Sequence, residues 1–206
     1  MKNLRVLGLD LAAVNSGACA IEVQSSLEYE VLYEEALTHP RDDFRNRAAA
    51  AESILSAATT HKVDFVVIED YAFRVGPSNT SAYQHGEMGG MARQVLHDAG
   101  FDILVIPITS MRSFMSVPPK SKKDYLMEQA KNKMGFESSG RTKAHRGNIT
   151  DAFIHAYTGS CWHFANEETL DTTVLDAAQH RMIYGDGKKF AGLTEREGLW
   201  YDGKEN

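Results

Sequence analysis

The chain has 206 residues, of which 43% are hydrophobic and 24% charged, and its net charge is −6. These values indicate a soluble globular protein with one domain of ordinary size and a small appendage. The longest apolar runs, at residues 65–68 and 103–107, are far too short to span a bilayer, which excludes a membrane-spanning protein.

The first half of the chain has strand patterns on both sides of one helix pattern. Three strands are predicted in succession, over residues 4–11, 18–24 and 29–37. Because the connections between them are short, we expect an antiparallel meander. A helix follows, with apolar and small residues at helical spacing at Phe44, Ala48, Ala51, Leu55 and Ala58. Residues 63–69 predict a fourth strand, whose run of four apolar residues indicates burial on both faces.

The second half is mostly helical. A helix over residues 80–99 is expected to end at Gly100, and a fifth strand over residues 101–106 to end at Pro107. Two short helices are predicted next, one from Thr109 and one from Ser121. A basic loop is predicted over residues 135–147. A last strong helix is predicted from Asn148 to about Phe164.

From Asn166 onward the pattern weakens. Residues 170–182 have the pattern of one more helix, and residues 184–206 are predicted to be an irregular tail with five glycines and many charges. The whole order predicts an α/β fold with a five-stranded mixed sheet, in which three antiparallel strands precede two parallel ones and helices cover both faces. We therefore divide the chain into a domain over residues 1–165 and a C-terminal extension over residues 166–206, whose role stays open.

Positive charge is concentrated in one segment. Residues 112–146 contain nine basic residues and three acidic ones, so the segment carries +6 and the rest of the chain −12. The basic residues are Arg112, Lys120, Lys122, Lys123, Lys131, Lys133, Arg141, Lys143 and Arg146. Such an asymmetry indicates either a surface for a polyanion or a solvated helix face.

Three acidic residues lie where acids are normally disfavoured. Asp10 and Glu69 each end a buried strand, and Asp151 lies near the start of an apolar helix. A buried carboxylate is costly unless it is paired, hydrogen-bonded or bound to metal. Asn148 and His155 share the helix face of Asp151, because they stand three residues before it and four after it. We expect these five side chains to form one cluster.

The chemistry of this cluster indicates a hard cation. Carboxylate and amide oxygens without a cysteine and histidine framework are typical of Mg²⁺ or Mn²⁺ sites, not of structural zinc. Two such ions would suit the hydrolysis of a phosphodiester by a two-metal mechanism. Asp70 follows Glu69 on the opposite face of the strand, so we expect it to be structural or peripheral.

Two observations concern the compartment. The first apolar run begins at Leu4, which leaves no room for a signal peptide. Cys19 and Cys161 both lie in apolar stretches, as buried thiols in a reducing compartment do. We expect a cytoplasmic protein.

The motifs around the acids resemble those of a known family. The strand ending at Asp10 with the Ser16-Gly17 pair after it, the strand ending at Glu69, and the Asn148-to-Asp151 helix start resemble, in order and spacing, motifs of the RuvC-like Holliday-junction resolvases. These enzymes belong to the RNase H-like superfamily, and the resemblance covers roughly residues 4–160. The chain departs from the family at Leu11 and Ala12, which replace a proline and a glycine, and at Asn148, which replaces an acid.

The resemblance implies a function for each part of the pattern. It implies a structure-specific endodeoxyribonuclease that cuts four-way DNA junctions in recombination and repair, with Asp10, Glu69, Asp151 and Asn148 as catalytic metal ligands and His155 as a further ligand. It implies phosphate contacts at Arg112 and Lys123 and base contacts at Tyr71 or Phe73, with a hydrophobic anchor under a loop as the alternative for Phe73. The basic segment adds Lys122 as a further phosphate contact. The small-residue helix around residues 86–90 resembles the family's dimer surface, which implies a homodimer.

Several alternatives stay open at this stage. One alternative is a nuclease of the same fold that prefers forks or flaps, and an RNase H or an exonuclease would use a similar cluster. The neutral Asn148 leaves room for a non-catalytic DNA-binding module with a degenerate site. An actin-like ATPase is disfavoured, because it needs a second lobe and a second phosphate loop.

Overall fold

A computed structural model describes residues 3–39, 44–70, 79–118, 121–184 and 200–201, with residues 79–82 and 200–201 described by their backbone alone. The chain begins with the predicted meander of three antiparallel strands, β1 (Leu4–Asp10), β2 (Asn15–Val23) and β3 (Tyr29–Thr38). After helix α1 (Phe44–Thr60), strand β4 (Phe65–Glu69) pairs with β1 in parallel.

The second half adds one more parallel strand and most of the helices. Helix α2 (Asn79–Asp98) leads to β5 (Asp102–Ile106), which pairs with β4 in parallel. Helices α3 (Ile108–Phe114), α4 (Lys123–Met134) and α5 (Lys143–Asn166) follow, then a short 3-10 turn (Thr172–Val174) and helix α6 (Ala177–Tyr184). None of the helices in these ranges is both long and apolar enough to cross a membrane.

The five predicted strands and their directions are confirmed. Among the described residues the sheet has the order β3-β2-β1-β4-β5-β6, in which β6 (Trp200–Tyr201) is a two-residue strand antiparallel to β5. The prediction of an irregular tail over residues 184–206 was therefore wrong for these two residues. The tail carries no strand pattern of its own, and the open edge of β5 supplies the hydrogen-bonding partner.

Two hydrophobic clusters cover the two faces of the sheet. Strand β1 divides its side chains between them, because alternate residues of a strand point to opposite faces. Val6 packs with α3, α4, α5 and α6 on one face, while Leu7 and Leu9 pack with α1 and α2 on the other. All three side chains are completely buried. The expected layers of helices on both faces are thus present.

Helix α5 begins five residues earlier than the pattern predicted. The predicted loop over residues 135–147 is confirmed for residues 135–142 and wrong for residues 143–147, since the helix starts at Lys143 and not at Asn148. Thr142 caps it, its hydroxyl accepting a hydrogen bond from the backbone N–H of His145 at 3.1 Å. Charged residues around Gly147 hid this first turn, because its side chains are mostly exposed and carry no apolar period.

The C-terminal extension packs onto the rest of the fold up to Tyr184. The predicted helix over residues 170–182 is divided into the 3-10 turn and α6, because Leu175 is extended between them. Met182 of α6 is buried in the cluster that contains α5. The backbone N–H of Asp171 donates to the carbonyl of Ser25 at 3.0 Å, which ties the extension to the turn between β2 and β3.

Candidate active site

Two glycines allow α5 to lie directly on the sheet. A Cβ atom at Gly8 of β1 would collide with the backbone of Ala152, and one at Gly17 of β2 would collide with the backbone of Asn148. Because both positions lack a side chain, the start of α5 reaches the end of β1, where Asp10 lies. The close approach of backbone to backbone is what brings the acids of strand and helix together.

The first side of the site, here called the lysine side, consists of Asp10, Asn148, Asp151 and Lys123. Lys123 is the first residue of α4, and its ammonium contacts oxygens of the other three residues. Its Nζ lies 2.7 Å from Asp151 Oδ2, 2.8 Å from Asn148 Oδ1 and 3.4 Å from Asp10 Oδ2. Three oxygens from a strand and a helix therefore converge on one positively charged atom.

A hydrogen bond to the backbone of β2 fixes the orientation of the Asn148 amide. Its Nδ2 donates a hydrogen bond of 2.6 Å to the backbone carbonyl of Asn15, at the start of β2. The amide oxygen is thereby turned toward Lys123, so that Asn148 contributes an oxygen acceptor to the site, as the two aspartates do. An aspartate at this position would place a carboxylate oxygen against the Asn15 carbonyl.

The second side, here called the histidine side, consists of Glu69 and His155. Glu69 ends β4, next to the end of β1, and His155 lies one helical turn after Asp151 on α5. His155 Nε2 lies 3.8 Å from Glu69 Oε2, beyond hydrogen-bond distance. His155 is completely buried, and neither ring nitrogen has a hydrogen-bonding partner among the described residues. A buried imidazole without a hydrogen-bonding partner in the described residues therefore lies beside a carboxylate of the cluster.

The two sides differ in the protonation that they favour. Burial raises the pKa of Asp10 well above its usual range, the charge of Asp151 raises it further, and Lys123 only partly opposes this. Burial also raises the pKa of Asp151 against the attraction of Lys123. For Glu69 burial again raises the pKa, but the approach of His155 and Asp10 reverses the shift, so that the pKa lies below its usual value.

Lys123 itself is held in its charged form. Burial lowers its pKa, but the attraction of Asp10 and Asp151 outweighs burial, and the pKa lies above its usual value. The side chain is 50% exposed, so its stem lies at the boundary between the cluster and solvent.

The donor set fits a hard divalent cation. Its members are the carboxylates of Asp10, Asp151 and Glu69 and the amide oxygen of Asn148, and oxygen donors of this kind are those that Mg²⁺ and Mn²⁺ prefer. The Lys123 ammonium, itself a cation, already collects three of these oxygens. Within the described part of the chain, no three side chains of His, Cys, Asp or Glu are close enough together to hold one ion as they stand.

The residues predicted to contact DNA lie in different places. Tyr71 and Phe73 are outside the described residues. Lys122 is exposed at the N-terminus of α4, whereas Lys123 points into the cluster. Arg112 of α3 directs its guanidinium to the backbone of the turn before α4, donating to the carbonyl oxygens of Pro118 at 3.4 Å and Ser121 at 3.3 Å. It thus braces the turn from which Lys123 starts.

Part of the predicted basic segment is neutralised within the fold. Three of its lysines form ion pairs, which are Lys131 with Glu137 at 2.8 Å, Lys133 with Asp176 at 2.6 Å and Lys143 with Asp124 at 2.6 Å. The pair between Lys133 and Asp176 ties the C-terminal extension to α4. Of the nine basic residues of the segment, three are thus occupied by ion pairs, two of them with acids of the same segment.

Two contacts of the site carry no signal in the sequence. The carbonyl of Asn15 is a backbone group, so its role does not depend on the residue type. The buried His39 lies with its Nε2 at 3.3 Å from the Ser16 hydroxyl, and that hydroxyl accepts from the backbone N–H of Ala12 at 3.2 Å. This chain of contacts shapes the loop directly after Asp10, and only the pairing of β2 with β3 brings His39 to it.

Comparison with known proteins identifies the fold. No family model matches the chain, and no curated protein matches it. Among solved structures, Thermus thermophilus RuvC in complex with Holliday junction substrate is similar, with a TM-score of 0.66, 17% identity, and coverage of 81% of this chain and 97% of that chain. The yeast mitochondrial Holliday junction resolvase Ydc2 matches with a TM-score of 0.54, 17% identity, and coverage of 80% and 82%. The RuvC-like, RNase H-like fold that the motifs implied is thereby confirmed.

Proposed function

We propose that the chain is a divalent-metal-dependent endodeoxyribonuclease that cuts branched DNA at four-way junctions, in recombination and repair. The observation that carries the proposal is the convergence of Asp10, Asn148 and Asp151 oxygens on one cationic position, with Glu69 next to it. The fold shared with two Holliday-junction resolvases supports the same reading.

The residues of the cluster would divide the work of binding metal. Asp10, Asp151 and Asn148 would hold one ion on the lysine side, and Glu69, with His155 behind it, would hold a second ion together with Asp10. When bound, Mg²⁺ or Mn²⁺ activates a water molecule and stabilises the leaving 3′-oxygen of a phosphodiester. The protein itself supplies rigid oxygen donors, which α5 fixes against β1 and β2 through the two glycine contacts.

The charge of the surroundings suits a polyanionic substrate. Lys122, directly before α4, and Arg141, shortly before α5, are both exposed. Lys123 lies at the edge of the cluster. Arg112 would act mainly by bracing the turn before α4. We propose that phosphate contacts come from Lys122 and Lys123, while Tyr71 and Phe73, which follow Glu69 in the chain, would contact unstacked bases at the branch.

We further propose a homodimer that pairs through α2. Among the described residues, open space adjoins the Cα atoms of Gly86 and Gly90, and an apolar groove of about 350 Å³ runs between α1 and α2. Phe44 at the groove is 58% exposed. A two-fold axis along α2 would present two clusters to the two-fold symmetric arms of a junction. Mutation of Met91 in the groove to Glu should produce a monomer in sedimentation, whereas Glu30→Gln on the edge strand β3 should leave the dimer intact.

The buried free thiols of Cys19 and Cys161 support a reducing compartment, and we place the protein in the cytoplasm. The proposed division of the chain assigns the nuclease site to residues 1–165. The extension over residues 166–206 would then stabilise α4 and α5, through Asp176 and Met182, without contributing to the site.

A substrate panel tests the proposed activity. Four-way junctions, forks, flaps, linear duplexes and RNA–DNA hybrids are incubated with Mg²⁺, with Mn²⁺ and with chelator, and the cuts are mapped. The proposal expects symmetric nicks on opposing strands of the junction that depend on metal. Preference for forks or flaps would retain a nuclease but contradict the junction assignment, cleavage of hybrids would indicate an RNase H, and metal-dependent binding without cleavage would indicate a non-catalytic module.

A further inference from the structure

Lys123 uses the same oxygens that the proposed function assigns to a divalent ion. Its ammonium lies 2.7 Å from Asp151 Oδ2 and 2.8 Å from Asn148 Oδ1, with Asp10 Oδ2 at 3.4 Å. These distances are those of charge-assisted hydrogen bonds for the first two oxygens and of a close ion pair for the third. One group of oxygens thus faces two potential cations, the lysine of the protein and a metal ion from solution.

Packing contacts around Lys123 hold its ammonium close to the acids. The stem of Lys123 passes over Gly147 of α5, where an added Cβ would come within 3.1 Å of the lysine Cδ. Arg112 holds the turn before α4, and the ion pair of Lys143 with Asp124 links the first turn of α5 to the first turn of α4. The position of the ammonium therefore follows from the packing of α4 on α5, and the lysine is not a freely rotating surface side chain.

The Lys123 side chain can also move its ammonium from the cluster into solvent. Its side chain is 50% exposed, whereas the side chains of Asp10 and Asp151 are 10% and 9% exposed. A long flexible stem can carry the ammonium to solvent, while the short carboxylates stay in place. The ammonium also separates two buried carboxylates that would otherwise repel each other.

We propose that Lys123 is an internal counter-cation that excludes a divalent ion from the oxygens of Asp10, Asn148 and Asp151, so that the ion binds there only after the ammonium has moved out. This inference rests on the proposed function, because it takes the three oxygens to be metal ligands. The ammonium and a doubly charged ion would repel each other strongly among these oxygens, because the carboxylates that carry them are nearly buried. Metal affinity on the lysine side is therefore set by the cost of displacing Lys123.

Substitution of Lys123 by methionine tests the competition. Methionine keeps a long flexible stem and removes the charge, and Lys122→Met is the matched control, because Lys122 is the exposed neighbour whose side chain lies outside the cluster. Mn²⁺ binding is measured by calorimetry on chelator-stripped protein without DNA. We expect Lys123→Met to bind Mn²⁺ about tenfold more tightly than the native protein, which corresponds to the loss of one modest ion-pair competition, and Lys122→Met to bind it with unchanged affinity. Equal affinity in all three proteins would overturn the inference.

A second measurement needs no substitution. The native protein is briefly acetylated with an amine-reactive reagent, in chelator and in saturating Mn²⁺, and the modified lysines are counted by mass spectrometry. Lys123 should be protected in chelator and several-fold more reactive with Mn²⁺, while Lys122 should react equally in both conditions and serves as the internal reference. Reactivity of Lys123 that does not respond to Mn²⁺ would contradict the displacement.

These readouts separate the inference from the function on which it rests. If Lys123→Met gains affinity and no DNA substrate is cut, the counter-cation stands as a metal-binding device and the nuclease proposal fails. If junctions are cut and neither affinity nor reactivity changes, the nuclease proposal stands and the counter-cation fails. If Mn²⁺ binds to none of the three proteins, both fail.

Discussion

The lysine side and the histidine side of the cluster are stabilised in different ways. On the lysine side, a cation supplied by α4 compensates two buried carboxylates. On the histidine side, Glu69 faces the imidazole of His155 at 3.8 Å, and the imidazole has no hydrogen-bonding partner in the described part of the chain. The comparison teaches that neighbouring acids of one cluster can have pKa values shifted in opposite directions, because burial dominates on one side and a polar neighbour on the other.

The largest expected effect is common to both sides. Asp10→Asn, Asp151→Asn and Glu69→Gln should each reduce junction cleavage at least about 1,000-fold, since each removes a charge needed to hold an ion that supplies several kcal/mol of transition-state stabilisation. Junction binding, measured by gel shift, should persist or tighten, because the site loses repulsion against phosphate. Near-normal turnover in one of these variants would remove that residue from the cluster.

The histidine side is tested by His155→Leu, which removes both ring nitrogens and keeps the buried volume apolar. We expect about a tenfold loss of Mn²⁺ affinity, the usual cost of losing a group that orients a metal ligand. Thr158→Val on the same helix is the control, because Thr158 is equally buried and its hydroxyl also has no partner among the described residues. A loss of the same size in both variants, measured by calorimetry, would reduce His155 to a packing residue.

On the lysine side, Asn148→Asp adds a carboxylate where the structure has an amide. Cleavage should be retained with a severalfold lower Mg²⁺ requirement, because the added negative charge strengthens ion binding. The variant should also lose about 1 kcal/mol of folding stability, since the hydrogen bond to the Asn15 carbonyl is replaced by repulsion. Metal titration of cleavage and thermal unfolding check the two parts, and an inactive but stable variant would indicate that the amide itself is required.

Without metal, removing a carboxylate charge should change the melting temperature in opposite directions on the two sides. A carboxyl whose pKa is raised by folding, as in Asp10, destabilises the fold increasingly as the pH rises from the ordinary value of about 4 through the raised pKa. Glu69 has a lowered pKa, so its contribution is present above its ordinary value of about 4.3 and is lost as the pH falls through the lowered pKa. In chelator at neutral pH, Asp10→Asn should therefore raise the melting temperature by about 3 °C, and Glu69→Gln should lower it. A gain of Asp10→Asn that does not shrink toward pH 4 would contradict this assignment.

The smallest effect concerns the surface beside the lysine side. Lys122→Gln should weaken junction binding and reduce the slope of log affinity against log salt by about one unit, the amount expected for one lost phosphate contact. Lys131→Gln is the matched control, because Lys131 already forms an ion pair with Glu137. Equal slopes for Lys122→Gln and the native protein would indicate that the start of α4 is a solvated helix face that does not contact phosphate.

The sequence by itself determined the layers of the fold and the positions of the acids. Strand runs that end in Asp10 and Glu69 and a helix with Asn148 and Asp151 on one face are local patterns, because burial on a strand has a period of two and on a helix a period of 3.6. The first turn of α5 escaped prediction, since its exposed basic residues carry no apolar period and its start depends on the cap at Thr142. The two-residue strand β6 was not predicted either, because it forms only through pairing with the edge of β5.

Only the tertiary structure decided how the acids are compensated. Lys123 belongs to a segment that the sequence marks as basic, yet nothing local distinguishes it from Lys122 beside it. The packing of α4 on α5 sends one ammonium into the cluster and leaves the other in solvent. Likewise the glycines at positions 8 and 17 acquire their role only when α5 lies against them. Contacts between elements distant in the chain follow from packing, and no periodicity within one element encodes them.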